Sequence, residues 1–193
     1  MLGLKLPTDP RWVNIVEKNI HEILTDHAFC EQKAASSAIS LMVRYPEESD
    51  LVEAMIDLAQ EELSHFKMVH QLMRERCWVL GRERKDEYVR DLKQFFPKGG
   101  SRIGQLVNKL LYAALIEARS CERFRLLSES IADKSLQKFY RKLMISEAQH
   151  YSLFLKFAYQ YGEKKEVNEK WQALLGFEAQ LMTKLGKKET IHG

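Results

Sequence analysis

The stretch EELSHF, residues 61–66, lies in a long run of helical periodicity and places a carboxylate and an imidazole three residues apart, Glu62 and His65. Residues three or four apart share one helix face, so Leu58 and Val69 lie on the same side as this pair. The pair therefore interrupts an apolar stripe, which is the face that an amphipathic helix turns toward a protein core. A carboxylate in such a position is costly to bury unless its charge is compensated.

The same arrangement recurs 85 residues later in the stretch SEAQHY, residues 146–151. Glu147 and His150 again stand three residues apart, and Leu143 and Phe154 extend the apolar stripe around them. Because the pair returns in an equivalent setting, the repetition indicates a shared purpose for the two helices.

Each of the two remaining long helical runs carries one acidic residue on a face of small and apolar residues. Glu31 shares its side with Ala35, and Glu117 shares its side with Ala114. The Glu-x-x-His pair that follows begins 31 residues after Glu31 and 30 residues after Glu117. The chain therefore contains an internal repeat. In each half, a helix with a single core-facing Glu precedes a helix with a core-facing Glu-x-x-His.

Four carboxylates facing one helical core would need either protonation or cations to balance their charge. Two divalent cations would neutralise them, and a lone Glu from each of two helices plus Glu-x-x-His from each of the other two is the ligand set of di-iron and di-manganese bundles. Carboxylate and imidazole ligands suit Fe or Mn, and the sequence does not distinguish these metals. The predicted ligands are Glu31, Glu62, His65, Glu117, Glu147 and His150.

Other acidic residues compete with this assignment. If the core-facing side of each helix were assigned incorrectly, the six predicted metal ligands would face solvent instead. Glu61 and Glu122 are the nearest rivals, and we expect both to face solvent or to pair with Arg. A third Glu-x-x-His spacing, Glu189 to His192, lies outside any apolar stripe and is expected to be accidental. No catalytic residue beyond the metal ligands is predicted.

Composition favours one helical domain. The 193 residues are 45% hydrophobic and 30% charged, with only four Pro and nine Gly. A chain of this size is large enough for a substantial core. We expect an all-α, ferritin-like four-helix bundle over 1–193, with an extra C-terminal helix and a short helix or loop between the two helix pairs. The predicted ligand helices span about 10–45, 50–78, 102–131 and 133–161, with a connecting segment at 79–101 and a C-terminal helix at about 168–185.

Three features of the sequence indicate the cellular compartment of the protein. Its longest uninterrupted apolar stretch, LLYAALI at 110–116, is too short to cross a bilayer. The N-terminal residues lack the features of a secretory signal. Three widely spaced cysteines argue against a disulfide framework and for a reducing interior. We therefore expect a cytoplasmic protein without a membrane partner.

Four stretches resemble one family, the tRNA-modifying 2-methylthio-isopentenyladenosine hydroxylases. They are TDHAFCEQKAA (25–35), EELSHF (61–66), IEARSCERF (116–124) and SEAQHY (146–151). The long strings around the lone Glu residues are specific, whereas the Glu-x-x-His strings are shared with many ferritin-like proteins. The segment 79–101 and the C-terminal helix match poorly, so no substrate contact there follows from the resemblance.

The resemblance implies a concrete activity. Members of the family use a non-haem di-iron centre, O2 and electrons from an external donor to hydroxylate the isopentenyl side chain of a hypermodified adenosine in tRNA, next to the anticodon. By this similarity, the six residues predicted above are the iron ligands. The implied partners are tRNA and an electron-transfer protein or reductase. The oligomeric state is not determined by the sequence, and a monomer is the favoured expectation.

The charge pattern offers one candidate surface for tRNA. The stretch 74–102 has a net charge of +4, more than the +3 of the whole chain. Such a segment could contact phosphates, or it could be a solvated helix and loop of mixed charge. The candidate contacts are Arg82, Arg84, Lys85, Arg90, Lys93, Lys98 and Arg102.

The sequence leaves three alternatives to this function. An iron-storage or ferroxidase protein would share it, but the basic connecting segment is not expected there. A rubrerythrin-like peroxidase or a manganese catalase would share it too, although the chain lacks the Cys-x-x-Cys domain that rubrerythrins often carry. A helical bundle without metal is the non-enzymatic alternative.

Overall fold

The computed structural model describes residues 2–185 and 190–192, and within them it contains helices and no β-strand. The chain divides into two compact units. The α2–α3 unit comprises the described residues of 19–85 and 189–191, and the α5–α6 unit comprises those of 1–18, 86–188 and 192–193. The helices are α1 (Trp12–Lys18), α2 (Ile20–Arg44), α3 (Ser49–Glu75), α4 (Glu87–Leu92), α5 (Arg102–Ser130), α6 (Lys134–Tyr161) and α7 (Lys164–Leu185), with a 3-10 turn at Lys93–Phe95.

The α2–α3 unit is a helical hairpin. Its two long helices are joined by residues 45–48 and pack along each other. Leu41, Leu51 and Met55 are buried in it. The sequence predicts a helical run over about 10–45 with a candidate break near 24–28, whereas the structure interrupts the run at Asn19, whose φ of −136° is not helical. Asn favours such breaks because its side chain competes for backbone hydrogen bonds.

The α5–α6 unit contains a second hairpin together with α1, α4 and α7. Helices α5 and α6 pack along each other, and α7 contacts both. Ser101 begins α5 by accepting a hydrogen bond from the Gly104 amide, and Asp133 begins α6 by accepting from two amides of its first turn. Such caps satisfy amide groups that have no partner inside the helix. Helix α7 begins at Lys164, four residues before the predicted start.

A buried ionic network holds α5 against three other parts of its unit. Arg119 on α5 donates to Glu178 on α7 over 2.8 Å and to Glu122 over 3.0 Å. The Thr8 hydroxyl donates to Glu122 over 2.6 Å, and the Tyr88 hydroxyl on α4 donates to Glu178 over 3.2 Å. All five residues are buried, and burial raises the pKa of Glu178 although Arg119 lowers it. The network therefore ties α4, α7 and the N-terminal segment to one guanidinium.

Among the helices that the structure describes, none has the length and apolar character needed to span a bilayer. All three cysteines, Cys30, Cys77 and Cys121, are free thiols. The chain thus has no disulfide, as the spacing of its cysteines predicts.

Candidate metal centre

The α2–α3 unit brings together three of the predicted ligands, Glu31, Glu62 and His65. We call this set the α2–α3 half-site. One ligand atom from each residue lies within 4.8 Å of those of the other two. His65 Nδ1 lies 3.3 Å from Glu62 Oε2 and 3.6 Å from Glu31 Oε2. The exposed fractions are 4%, 1% and 3%, so these polar groups are withdrawn from solvent.

In this half-site the carboxylates and the imidazole shift the pKa values of one another. Burial lowers the pKa of His65, but the hydrogen bonds and charges of Glu31 and Glu62 outweigh burial and raise it to about 10. Burial likewise acts to raise the pKa of Glu31, yet hydrogen bonds from His27 and His65 hold it below its usual range. Either a proton on the imidazole or a bound cation would balance part of the carboxylate charge.

His27 forms a hydrogen bond with one of the predicted ligands of this half-site, and the sequence did not predict this contact. Its Nε2 donates to Glu31 Oε1 over 2.6 Å, and its ring is fully buried. It stands four residues before Glu31 on α2, so the spacing that aligns side chains on one helix face could have found it. A hydrogen bond of this kind fixes the orientation of a ligating carboxylate.

We expect His27→Phe to weaken metal binding about 10- to 100-fold, because an outer hydrogen bond that orients a ligand typically contributes that much. The measurement is a titration of the metal-free protein with Fe²⁺ under anaerobic conditions. His21→Phe is the matched control, since His21 also lies on α2 and loses one hydrogen bond, to the Val79 carbonyl. Equal affinities for the two variants would rule out the supporting role of His27.

The α5–α6 unit brings together the other three predicted ligands, Glu117, Glu147 and His150. We call this set the α5–α6 half-site. One ligand atom from each residue again lies within 4.8 Å of those of the other two. His150 Nδ1 lies 4.0 Å from Glu147 Oε1. The exposed fractions are 5%, 3% and 3%, so this half-site is buried to the same degree as the first.

Helix packing explains how each half-site forms. In both units the second helix supplies a Glu and a His three residues apart, which lie on one face. The first helix supplies its Glu from a face of small residues, where Ala35 follows Glu31 and Ala114 precedes Glu117, all of them buried. Small side chains leave room for the longer carboxylate and imidazole groups of the partner helix.

The rival carboxylates lie in different surroundings. The Glu61 side chain is 42% exposed, and its Oε1 lies 3.7 Å from His65 Nε2. Glu122 is buried and pairs with Arg119, which is the second of its two expected surroundings. The reason is that Thr8 and Arg119 together compensate the Glu122 carboxylate inside the unit.

The third Glu-x-x-His spacing cannot be compared in the same way, because Glu189 lies outside the described residues. His192 is buried in the α5–α6 unit. Its Nε2 lies 3.0 Å from Ser120 Oγ, its Nδ1 lies 3.1 Å from Asp86 Oδ2, and its ring stacks on Tyr88. These contacts give His192 a packing role.

The candidate tRNA contacts of the connecting segment differ in exposure. Arg84 is half-buried, and its Nη2 donates to the Glu22 carbonyl over 3.4 Å. Arg90 pairs with Asp91 over 2.7 Å. The segment holds α4 and the 3-10 turn, where the sequence predicts a short helix or loop. The exposed candidates are Arg82, Lys85, Arg90, Lys93, Lys98 and Arg102.

The donor set of each half-site fits a divalent metal ion. Two carboxylates carry two negative charges, and a neutral imidazole adds a nitrogen ligand without charge. Such a set matches the hard-to-borderline preference of Fe²⁺ or Mn²⁺ and lacks the thiolates that soft metals select. Burial of all six groups also requires compensation of their charge. The buried carboxylate and imidazole clusters therefore fit a metal centre.

Comparison with known proteins agrees with this chemistry. The sequence matches the family model described as tRNA-(MS[2]IO[6]A)-hydroxylase (MiaE) over residues 2–193. A tRNA 2-(methylsulfanyl)-N(6)-isopentenyladenosine(37) hydroxylase from Pseudomonas putida is 38% identical over 164 residues, covering 85% of this chain and 78% of the relative. A protein of the same name from Salmonella typhimurium is 29% identical over 212 aligned positions, covering 81% of this chain and 75% of the relative.

A solved structure shares the fold. It is a Synechococcus protein described as having aldehyde deformylating oxygenase activity, and it is 34% identical to this chain. The two superpose with a TM-score of 0.90, covering 98% of this chain and 95% of the other. The predicted all-α, ferritin-like class and the family resemblance of the four ligand stretches are thereby confirmed. The chain belongs to the tRNA-(MS[2]IO[6]A)-hydroxylase (MiaE) family.

Proposed function

We propose that this chain is an O2-dependent monooxygenase that hydroxylates the isopentenyl side chain of 2-methylthio-N6-isopentenyladenosine in tRNA, next to the anticodon. The observation that carries the proposal is the pair of buried half-sites, each with two carboxylates and one imidazole, in a member of this enzyme family. The relatives from Pseudomonas putida and Salmonella typhimurium are named for this reaction.

The proposed reaction balances with an external donor. One C–H bond of the isopentenyl group becomes C–OH, one atom of O2 enters the product, and the other leaves as water after two electrons and two protons are taken up. We propose that an electron-transfer protein or reductase supplies these electrons. Two iron ions, when bound, supply the activation of O2.

The residues of the chain perform the supporting tasks. We propose that Glu31, Glu62 and His65 would hold one iron and that Glu117, Glu147 and His150 would hold the other. His27 orients Glu31. The apolar neighbours of each half-site, such as Val69 and Phe154, are buried and would exclude water from the reacting groups. Holding the ions, orienting the alkyl group and excluding water is the contribution that a protein makes to such chemistry.

The remaining expectations stay proposals. We favour iron over manganese because the family resemblance implies it, and a cytoplasmic location because the substrate is tRNA. A monomer suffices for the ligand set, since one chain supplies all six residues. Iron storage, ferroxidase, peroxidase and catalase activities remain the alternatives that share this ligand pattern.

Nucleoside analysis of tRNA tests the proposed function. Cells that lack this protein should accumulate the unhydroxylated 2-methylthio nucleoside, and expression of the wild-type chain should restore the hydroxylated form. Expression of Glu147→Ala serves as the control that separates catalysis from the mere presence of the protein. If the nucleoside content were the same with and without the wild-type chain, the proposed substrate would be wrong.

A second candidate function follows from the Synechococcus structure, whose fold and 34% identity extend over nearly the whole chain. That protein is described as having aldehyde deformylating oxygenase activity. Incubating the iron-loaded chain with a long-chain aldehyde, reductant and O2 separates the two functions. Release of formate without hydroxylation of tRNA would favour the aldehyde substrate.

We expect the basic connecting segment to contribute to tRNA affinity. The triple variant Arg82→Gln/Arg84→Gln/Lys85→Gln should bind tRNA more weakly, and the slope of log affinity against log salt should fall by about 2–3, since each phosphate contact contributes roughly 0.7–0.9. Fluorescence anisotropy with labelled tRNA over a salt series measures both quantities. Thermal unfolding checks the fold, because Arg84 also bonds the Glu22 carbonyl. An unchanged slope would show that the phosphates lie against another surface.

A further inference from the structure

Helix α6 has a strongly one-sided charge. It contains five cations and a single carboxylate, for a net charge of +4, against +3 for the whole chain. The carboxylate is Glu147, which is buried in the α5–α6 half-site. Solvent therefore meets only positive charge on this helix. The exposed cations are Lys134, Lys138, Arg141, Lys142 and Lys156.

This bias is specific to α6. Helix α3 exposes Asp50, Glu53 and Asp57 in its first half, and α7 interleaves Lys165 with Glu166 and other acidic residues. A mixed or acidic surface is thus compatible with a long helix of this protein. The charge of α6 needs an explanation beyond the solubility of a helical surface.

The cations lie on the side of α6 opposite to the metal ligands. At 100° per residue, Lys138, Ile145 and Lys156 point away from the face that carries Glu147 and His150. Lys138 and Lys156 are separated by 18 positions, or roughly 27 Å along the helix axis at 1.5 Å per residue. The outward face of α6 is therefore an extended cationic strip on the back of a ligand helix.

An apolar depression of about 540 Å³ lies on the same face. Met144, Ile145, Ala148 and Leu153 line it on α6, and Cys121 of α5 also contributes. Ile145, which is 54% exposed, extends the apolar lining to the protein surface. Lys156 lies at the C-terminal end of the depression, and Arg141 and Lys142 stand one turn before Ile145.

We propose that the outward face of α6 is an RNA-binding surface on which the tRNA substrate lies, with phosphates on the cations and an unstacked base or ribose in the depression. The inference rests on the proposed function, which supplies an anionic partner with a single-stranded loop. Single-stranded loops present unstacked bases that a protein surface can contact, while its cations bind the phosphates. A linear strip of cations is complementary to the repeated charge of an RNA strand.

The test compares two triple variants of equal charge change within one unit. Lys138→Gln/Arg141→Gln/Lys142→Gln removes the N-terminal part of the strip. Lys164→Gln/Lys165→Gln/Lys184→Gln removes three exposed cations of α7 and is the matched control. Anisotropy of labelled tRNA carrying the unhydroxylated nucleoside is measured over a salt series, and thermal unfolding verifies the fold of both variants.

We expect the α6 variant to lose about tenfold or more in affinity and to lower the salt slope by about 2–3, while the α7 variant keeps the wild-type slope. A second variant, Ile145→Glu, places an anion beside the depression without removing a cation and should also weaken binding. The proposal is overturned if the α6 and α7 variants share one slope. It is likewise overturned if the α6 variant keeps its tRNA affinity and only slows reduction by an acidic electron-transfer protein.

The test of the RNA-binding surface and the test of the proposed function have different readouts. Hydroxylation by the wild-type chain tests the function, and the difference between variants in tRNA affinity tests the surface. If the wild type binds and hydroxylates tRNA and the α6 variant does so with unchanged affinity, only the surface is wrong. If the wild type binds tRNA without hydroxylating it, the function is wrong and the variants still decide the surface. A wild type that binds no tRNA would overturn both.

Discussion

Glu147→Ala should lose most of the bound iron and nearly all tRNA hydroxylation while its helices persist. Glu147 is 3% exposed and lies with Glu117 and His150 in the α5–α6 half-site. Removing it deletes one of the two carboxylates that we propose to balance a divalent ion there. Loss of an orienting group outside the ligand set costs about 10- to 100-fold in metal affinity, and loss of a ligand itself should exceed that range.

Metal analysis of the purified protein measures this effect, with two irons per chain expected for the wild type. Far-UV circular dichroism reports whether the helices remain. Glu166→Ala, which changes an exposed carboxylate on α7, is the control for a change of charge alone. Full iron occupancy in Glu147→Ala would contradict the assignment of this residue as a ligand.

Arg119→Met should destabilise the protein by about 3–5 kcal/mol, because removing one partner of a buried ion pair leaves an uncompensated charge inside. Arg119 is fully buried and compensates two carboxylates, Glu122 and Glu178. Met retains most of the side-chain volume, so the effect reports on charge and hydrogen bonding more than on packing. The free energy of unfolding in denaturant provides the measurement.

Two further variants make this prediction specific. Arg125→Met removes an exposed cation from the same helix, where the pair with Glu129 contributes at most about 1 kcal/mol. Adding Glu122→Gln and Glu178→Gln to Arg119→Met removes the stranded charges and should restore part of the lost stability. If Arg119→Met and Arg125→Met were equally stable, the network would have no structural role.

The sequence predicts the ligand faces well because they depend on local spacing. Glu62 and His65, like Glu147 and His150, share a face at three residues apart, and the structure places each pair in a buried cluster with the lone Glu of the same unit. The assignment of these clusters as iron ligands stays a prediction that the metal analysis tests.

The buried network was not predictable from the same patterns. Two of its contacts join residues far apart in the chain, Arg119 with Glu178 at a separation of 59 and Thr8 with Glu122 at a separation of 114. Periodicity assigns charged residues to solvent, and it carries no information on a partner brought in by another helix. The break at Asn19 was missed for a related reason, since apolar spacing continues through it.

The two faces of helix α6 differ in character. Its inward face carries Glu147 and His150, and its outward face carries exposed cations around Ile145. Net charge counted over 74–102 emphasises the connecting segment, and the exposure of each side chain must be known before the cations of α6 can be assigned to its outward face. Once burial is known, the solvent-facing charge of α6 becomes larger than its net charge.

The most direct test of the central claim follows the oxygen atom. The iron-loaded chain is given tRNA with the unhydroxylated nucleoside, a reductant and O2 labelled with heavy oxygen, and the nucleosides are analysed by mass spectrometry. The account predicts one labelled oxygen atom in the isopentenyl side chain and no product with metal-free protein. Absence of the hydroxylated nucleoside, or a hydroxyl oxygen that comes from water, would contradict it.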